Sequence, residues 1–219
     1  MPHAVQVLNT HYITPDVIRL MVTKPDGWTA TLGSSVRLAV PNVGLNNRWR
    51  PFSITSHPSD PILEFLIKIY EKKESVTALL ASRVPGDTLL ISNPFDGIDT
   101  NDVAFFIAAG TGVTPFLPIL RHRSAKGLID NEKLLLSSKT PADVICGHEL
   151  RSLLGSNFVS LCTREADHRN RKGRVTESVI EEMMAAGNPR VAVCGPSQFV
   201  IDVCKFLNDL GLPRNLVVT

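Results

Sequence analysis

The stretch Val103-Ala104-Phe105-Phe106-Ile107-Ala108-Ala109-Gly110-Thr111-Gly112-Val113-Thr114-Pro115 decides the architecture of this chain. Val103 to Ala109 is a continuous apolar run of strand length, the pattern of a parallel strand buried on both faces. Two glycines follow at once, where a tight turn or a close approach to a ligand needs a backbone without Cβ. Thr114 to Arg123 then reads as a helix, with Pro115 in its first turn, where a missing N–H costs nothing. Strand, glycine loop and helix start together form a site suited to a pyrophosphate, because free N–H groups and the helix dipole favour an anion there.

Downstream the alternation continues. Lys133 to Ser137, Phe158 to Cys162 and Arg190 to Cys194 read as further strands, with a short one at Leu216 to Val218. Between them lie helical segments at Pro141 to Leu154 and Glu177 to Ala186, the latter capped by Thr176. The last helix carries Phe199, Val203, Phe206, Leu207 and Leu210 on one face. Repeated strand–helix order predicts an open parallel sheet covered on both sides.

Upstream the texture differs. Short β-branched runs at Ala4 to Leu8, Val17 to Val22, Ser35 to Val40, Phe52 to Thr55, Ile62 to Ile69 and Thr88 to Ser92 are separated by Pro, Gly, Asn and Asp. They predict an antiparallel β-barrel, with one helix inserted at Ser75 to Ser82 and ended by Pro85-Gly86-Asp87. The fold class is therefore β followed by α/β: a barrel over residues 1–99 and a Rossmann-like domain over 100–219, joined through Asp96 to Asp102.

The 219 residues allow two small cores, and a net charge of +2 gives no reason to expect nucleic acid. Met1 to Val5 has no basic region leading into an apolar run, and no apolar stretch is long enough to span a bilayer. A cytoplasmic protein without membrane insertion is expected. Cys146, Cys162, Cys194 and Cys204 form no CxxC pair, so no metal or iron–sulfur cluster is expected. His148-Glu149 is followed by Ser152 where a zinc-protease helix needs a second histidine, and no GxSxG elbow occurs.

Four motifs in order resemble the ferredoxin–NADP reductase family. These are Arg50-Pro51-Phe52-Ser53, Pro85-Gly86-Asp87 with Asn93-Pro94-Phe95, Gly110 to Phe116, and Val193-Cys194-Gly195-Pro196. The resemblance spans nearly the whole chain and implies an FAD-dependent oxidoreductase that takes hydride from NADPH or NADH. Arg50 would pair with the FAD pyrophosphate, Phe52 would lie against the isoalloxazine or its ribityl chain, Ser53 would bond near flavin N5, and Pro51 is among the implied cofactor-binding residues. Ile67, Ile69 and Thr77 complete the implied flavin site. Gly110, Thr111, Gly112 and Thr114 would cradle the nicotinamide dinucleotide, with Cys194, Gly195 and Pro196 beside its ring. Ser53 and Cys194 are the implied catalytic residues. Lys139, Arg164 and Arg174, from three loops, would receive the 2′-phosphate of NADPH.

The pattern also departs from the family. Phe52 replaces a tyrosine, Glu74 and Asp96 stand where glycine is common, and Val217-Val218-Thr219 lacks the usual acidic and aromatic residues. Electrons would leave to a separate acceptor: a ferredoxin, a flavodoxin or an oxygenase component. Arg37, Arg48 and Lys68 are candidate docking charges. Two alternatives remain open: an NAD(P)H:flavin reductase that releases its flavin, and a non-catalytic flavin-binding subunit of a larger complex.

Overall fold

A computed structural model describes residues 2–41, 49–70, 75–95, 97–184 and 189–218. Among these, twelve strands form two six-stranded sheets.

The first sheet is antiparallel. Its strands are β1 (His3–Thr14), β2 (Val17–Thr23), β3 (Ser35–Ala39), β4 (Arg50–Ser53), β5 (Ile62–Lys68) and β6 (Thr88–Ile91), in the order β4-β3-β6-β1-β2-β5. The two end strands meet just beyond β4, where the Thr55 N–H donates to the Glu64 carbonyl at 2.8 Å and closes the barrel. Alternating residues such as Val5, Val7, Ile18, Leu20, Phe65 and Leu89 fill the interior. Helix α1 (Val76–Ala81) plugs one end with Val76 and Leu80. β1 runs six residues past its apolar alternation, because backbone pairing with β2, through two irregularities, continues to Thr14.

The second sheet is parallel, with order β10-β9-β8-β7-β11-β12. Its strands are β7 (Val103–Ala109), β8 (Lys133–Ser138), β9 (Phe158–Cys162), β10 (Arg171–Lys172), β11 (Arg190–Cys194) and β12 (Val217–Val218). Helices α2 (Leu117–Ala125) and α3 (Gly147–Leu154) bury one face, and α4 (Glu177–Met184) and α5 (Ser197–Asp209) bury the other. Val17 and Leu66 of the barrel join the first of these cores, so the two halves share apolar packing.

Two expectations are corrected, and one strand is added. The segment Pro141 to Leu154 is a 3₁₀ turn at Pro141–Asp143 and then α3 from Gly147, with extended Val144 between them, rather than one helix. The helix after the glycine loop starts at Leu117 rather than Thr114, with Pro118 rather than Pro115 in its first turn. Gly110–Val113 is instead a turn of 3₁₀ helix, held by the Thr114 N–H and Oγ1 on the Thr111 carbonyl at 3.0 and 2.8 Å. β10 lies in the basic stretch His168 to Arg174. Its two residues are exposed and pair only by backbone with Leu161 and Cys162, so no apolar pattern announces it. No described helix is long and apolar enough to cross a membrane.

Candidate active site

From β7 the chain steps through β8, β9 and β10 to one side, then returns to β11 on the other. The connections that follow β7 and β11 therefore lead to opposite sides of the sheet, and the carboxyl ends of these strands are the usual ligand position in such sheets. Here they border a cleft of about 700 Å³. Gly110, Thr111, Gly112, Cys194, Gly195 and Pro196 line its sheet side, while Asp16, Lys68 and Tyr70 face them from the barrel.

Glycine is required at two of these positions by geometry. Gly110 has φ +53°, in the left-handed region that side chains resist. A Cβ on Gly112 would overlap the Cys194 carbonyl and lie 2.8 Å from Gly195 N. The two loops are thus in backbone contact, and that contact places Cys194 beside the glycine turn. Burial pushes the Cys194 thiol up, only partly offset by the Gly195 N–H, so it stays protonated at neutral pH. Thr114 is buried behind the loop as its hydrogen-bonding brace and does not line the cleft.

β4 stands at one end of the strand order of the barrel sheet, where the closure begins. Arg50 and Pro51 project to solvent, with Arg50 Nη1 on the Trp49 carbonyl at 3.1 Å. Phe52 is half-buried against the barrel core, and Ser53 Oγ lies 3.4 Å from Ser35 Oγ. Ile67 is 1% exposed and belongs to the barrel interior, so its side chain does not face a ligand; Ile69 packs on the same core. Thr77 Oγ1 sits 3.2 Å from Ser75 Oγ, and Ser75 caps α1 by accepting from the Ala78 N–H.

The three expected basic residues follow three neighbouring strand ends. Lys139 follows β8, Arg164 follows β9 and Arg174 follows β10. The Arg164 N–H donates to the Lys139 carbonyl at 2.9 Å, and the Gly173 N–H to the Cys162 carbonyl at 3.0 Å, so the three loops are stitched together. Thr140 and Asp143 hold the Lys139 loop through a capping box. Arg164 and Arg174 are exposed, whereas Lys139 Nζ is paired with Asp16 at 2.9 Å. Lys68 pairs with the same Asp16 oxygen at 2.9 Å, which puts it in the cleft rather than on a docking face. Arg37 is exposed and stacks over Phe95. Arg48, Glu74, Asp96, Ala185, Ala186 and Thr219 lie outside the described residues.

The sequence reading missed Asp16, Ser138 and Tyr70. Ser138 is 7% exposed, lines the cleft, and among the described residues its Oγ has no hydrogen-bond partner. A ligand hydroxyl or phosphate there would satisfy it. Tyr70, 57% exposed, offers an aromatic face at the barrel side of the same cleft. A backbone turn, an unpaired buried hydroxyl, an open aromatic ring and nearby lysines fit a dinucleotide. Among the described residues, no three His, Cys, Asp or Glu side chains gather to hold a metal ion.

Polar contacts clamp the halves around this cleft. Arg121 of α2 bonds Glu149, Glu64 and the Thr55 carbonyl, while Arg19 pairs with Glu64 at 3.2 Å. His57 of the barrel and His122 of α2 stack and hydrogen-bond at 2.9 Å.

Comparison with known proteins agrees with this geometry. The family model of an FAD-binding domain matches residues 3–135, and that of an oxidoreductase NAD-binding domain matches residues 106–205. The flavodoxin/ferredoxin–NADP reductase of Rhodobacter capsulatus is 26% identical, over 100% of this chain and 92% of that protein. The reductase component of propane 2-monooxygenase from Rhodococcus jostii is 26% identical, over 94% of this chain and 59% of that protein. The chain spans between 32% and 59% of the first curated relatives it matches. A ferredoxin NADP+ reductase from Neisseria gonorrhoeae, solved with bound FAD and NADP, shares the fold. Its TM-score is 0.84 at 24% identity, with 96% of this chain and 92% of that one covered.

Proposed function

We propose, because this chain belongs to the ferredoxin–NADP reductase-like family of FAD- and NAD(P)-binding oxidoreductases, that it draws electrons from NADPH and delivers them to a separate protein acceptor. The acceptor is a ferredoxin, a flavodoxin or an oxygenase component, in keeping with the named activities of the relatives. The observation that carries this reading is the cleft between the barrel and the parallel sheet, with Lys139 in its lining and Arg164 hydrogen-bonded to the Lys139 carbonyl. When bound, FAD supplies the exchange of a two-electron hydride for single electrons.

The protein's own groups do the positioning. Arg50, exposed on β4, would pair with the FAD pyrophosphate, and Ser53 would orient the flavin by hydrogen bonding. Phe52 gives the ring an apolar wall. Gly110 to Gly112 present backbone N–H groups to the dinucleotide phosphates. The protonated Cys194 thiol contributes a small neutral group beside the nicotinamide, and Gly195-Pro196 turns the chain away from it. Lys139, Arg164 and Arg174 favour NADPH over NADH by meeting the extra phosphate. The site of action is the cytoplasm, where four free cysteines stay reduced.

The test is the absorbance spectrum of the purified protein before and after anaerobic addition of NADPH or NADH. A bound flavin spectrum, bleached faster by NADPH and restored by ferricyanide, is expected. Flavin that binds only transiently and is consumed as substrate would identify a flavin reductase instead. A bound flavin that neither coenzyme bleaches would identify a non-catalytic subunit.

A further inference from the structure

Asp16 is a carboxylate inside a cleft suited to a polyanion, an arrangement that needs a reason. It sits in the turn between β1 and β2, where its backbone carbonyl accepts the Ile69 N–H at 2.8 Å. Its Oδ2 meets Lys68 Nζ from β5 and Lys139 Nζ from the loop after β8, each at 2.9 Å. All three residues line the cleft. One carboxylate with two ammonium groups leaves a single net positive charge, and the two cations crowd one oxygen. Lys139 is the more detachable of them: its side chain is 45% exposed, against 26% for Lys68. The backbone beside it is bonded to Arg164, and the unpartnered Ser138 hydroxyl precedes it.

Resting on the NADPH reading above, we propose that Asp16 is a specificity-determining residue: it occupies Lys139 in the free enzyme and yields it to the coenzyme 2′-phosphate, while Lys68 stays to neutralise the carboxylate. A phosphate dianion offers more charge and more acceptor oxygens than a carboxylate already shared between two lysines. NADH, without that phosphate, leaves the Asp16–Lys139 pair closed. Asp16 therefore tempers the preference for NADPH that the three basic loops create.

The experiment measures dissociation constants of NADP+ and NAD+ for FAD-loaded wild type, Asp16→Asn, Lys139→Met and the double variant. Exchange requires opposite signs. D16N frees Lys139 and tightens NADP+ about threefold to fivefold, the worth of a half-exposed ion pair. K139M weakens NADP+ about tenfold, the loss of one charge-assisted phosphate contact. The double variant loses the D16N gain, and NAD+ moves less than twofold throughout. If D16N and K139M both weaken NADP+, the pair is only a tie between the halves and the exchange is overturned; an unchanged NADP+ affinity in D16N overturns it equally. Should D16N fail to retain FAD, Lys68→Met serves instead. It concentrates Asp16 on Lys139, and a smaller loss for NAD+ than for NADP+ is required. A wild-type kcat/KM that favours NADH would overturn the coenzyme reading by itself, whereas same-sign shifts overturn only the exchange.

Discussion

Arg121 Nη1 donates to the backbone carbonyl of Thr55 at 2.8 Å, joining the helix that follows the glycine loop to the chain just beyond Ser53. The same guanidinium bonds Glu64 of β5 at 3.0 Å and Glu149 of α3 at 3.0 Å. One side chain thus ties the segment beyond the proposed flavin strand to the helix beyond the dinucleotide loop. Burial works against its charge, but Glu149 and Glu64 outweigh that and hold its pKa above the ordinary value.

Arg121→Met leaves Glu64 and Glu149 without their shared cation. A wholly buried pair broken this way costs about 3–5 kcal/mol; with a quarter of the Arg121 side chain in solvent, about 2–3 kcal/mol is expected here. The midpoint of urea unfolding reads it. Because the halves also lose alignment, kcat for NADPH oxidation should fall by about tenfold or more while FAD remains bound. Arg121→Lys should recover charge but not the forked contacts, and so only part of the loss.

The pH dependence of stability follows from Glu149. The hydrogen bond from Arg121 lowers its carboxyl pKa below 4.5, and burial opposes without reversing this. A depressed folded pKa means that the unfolded chain takes up the proton first. The contribution is therefore present above about pH 4.5 and is lost as pH falls through the lower folded value. Asp16 adds in the same direction: burial raises its pKa, but Lys68 and Lys139 together lower it further. Urea unfolding between pH 3 and 7 should show Glu149→Gln less stable than wild type at pH 7 and converging with it in acid. Parallel curves would rule out the carboxylate as the origin.

Gly112→Ala should separate the two loops of the cleft. The added methyl meets the Cys194 carbonyl and the Gly195 nitrogen, both backbone, so no side chain can swing aside. NADP+ affinity measured by titration should drop by at least about tenfold, with FAD content unchanged. Gly110→Ala faces open space and meets only the left-handed strain of φ +53°, about 1–2 kcal/mol. It should fold and bind with a smaller loss. Equal losses at both glycines would contradict the packing argument.

Cysteine alkylation gives an independent view of the cleft. Burial, with Glu149 nearby, pushes the Cys146 thiol up to about 11, so it should resist iodoacetamide below pH 9. Cys194 is also raised by burial, yet it lines the cleft. Its modification, followed by mass spectrometry of peptides, should be slow at pH 7, accelerate above pH 9 and be blocked by NADP+. Alkylation of Cys194 that saturating NADP+ leaves unslowed would remove it from the coenzyme site.

What could be read along the chain was whatever burial writes locally. Val103–Ala109, Phe158–Cys162 and Arg190–Cys194 are strands with the limits expected from their apolar runs, because each is covered on both faces. Gly110 and Gly112 were legible because a positive φ and a backbone contact both exclude a side chain. β10 was not, since an exposed pair of basic residues joins the sheet by backbone alone. Nor was the start of α2, which the Thr114 hydroxyl delays by favouring a tighter turn.

The polar construction of the cleft came only with the tertiary structure. Asp16 is far from Lys139 in sequence, as are Thr55 from Arg121 and His57 from His122, and each pair meets across the two halves. Sequence alone determined two sheets, their order along the chain and the glycine turn, because hydrophobic burial imposes a period that neighbouring residues must repeat. Which charges face one another was decided by the docking of barrel on sheet: an ion pair needs only two atoms within reach, and nothing in either local sequence has to record its partner.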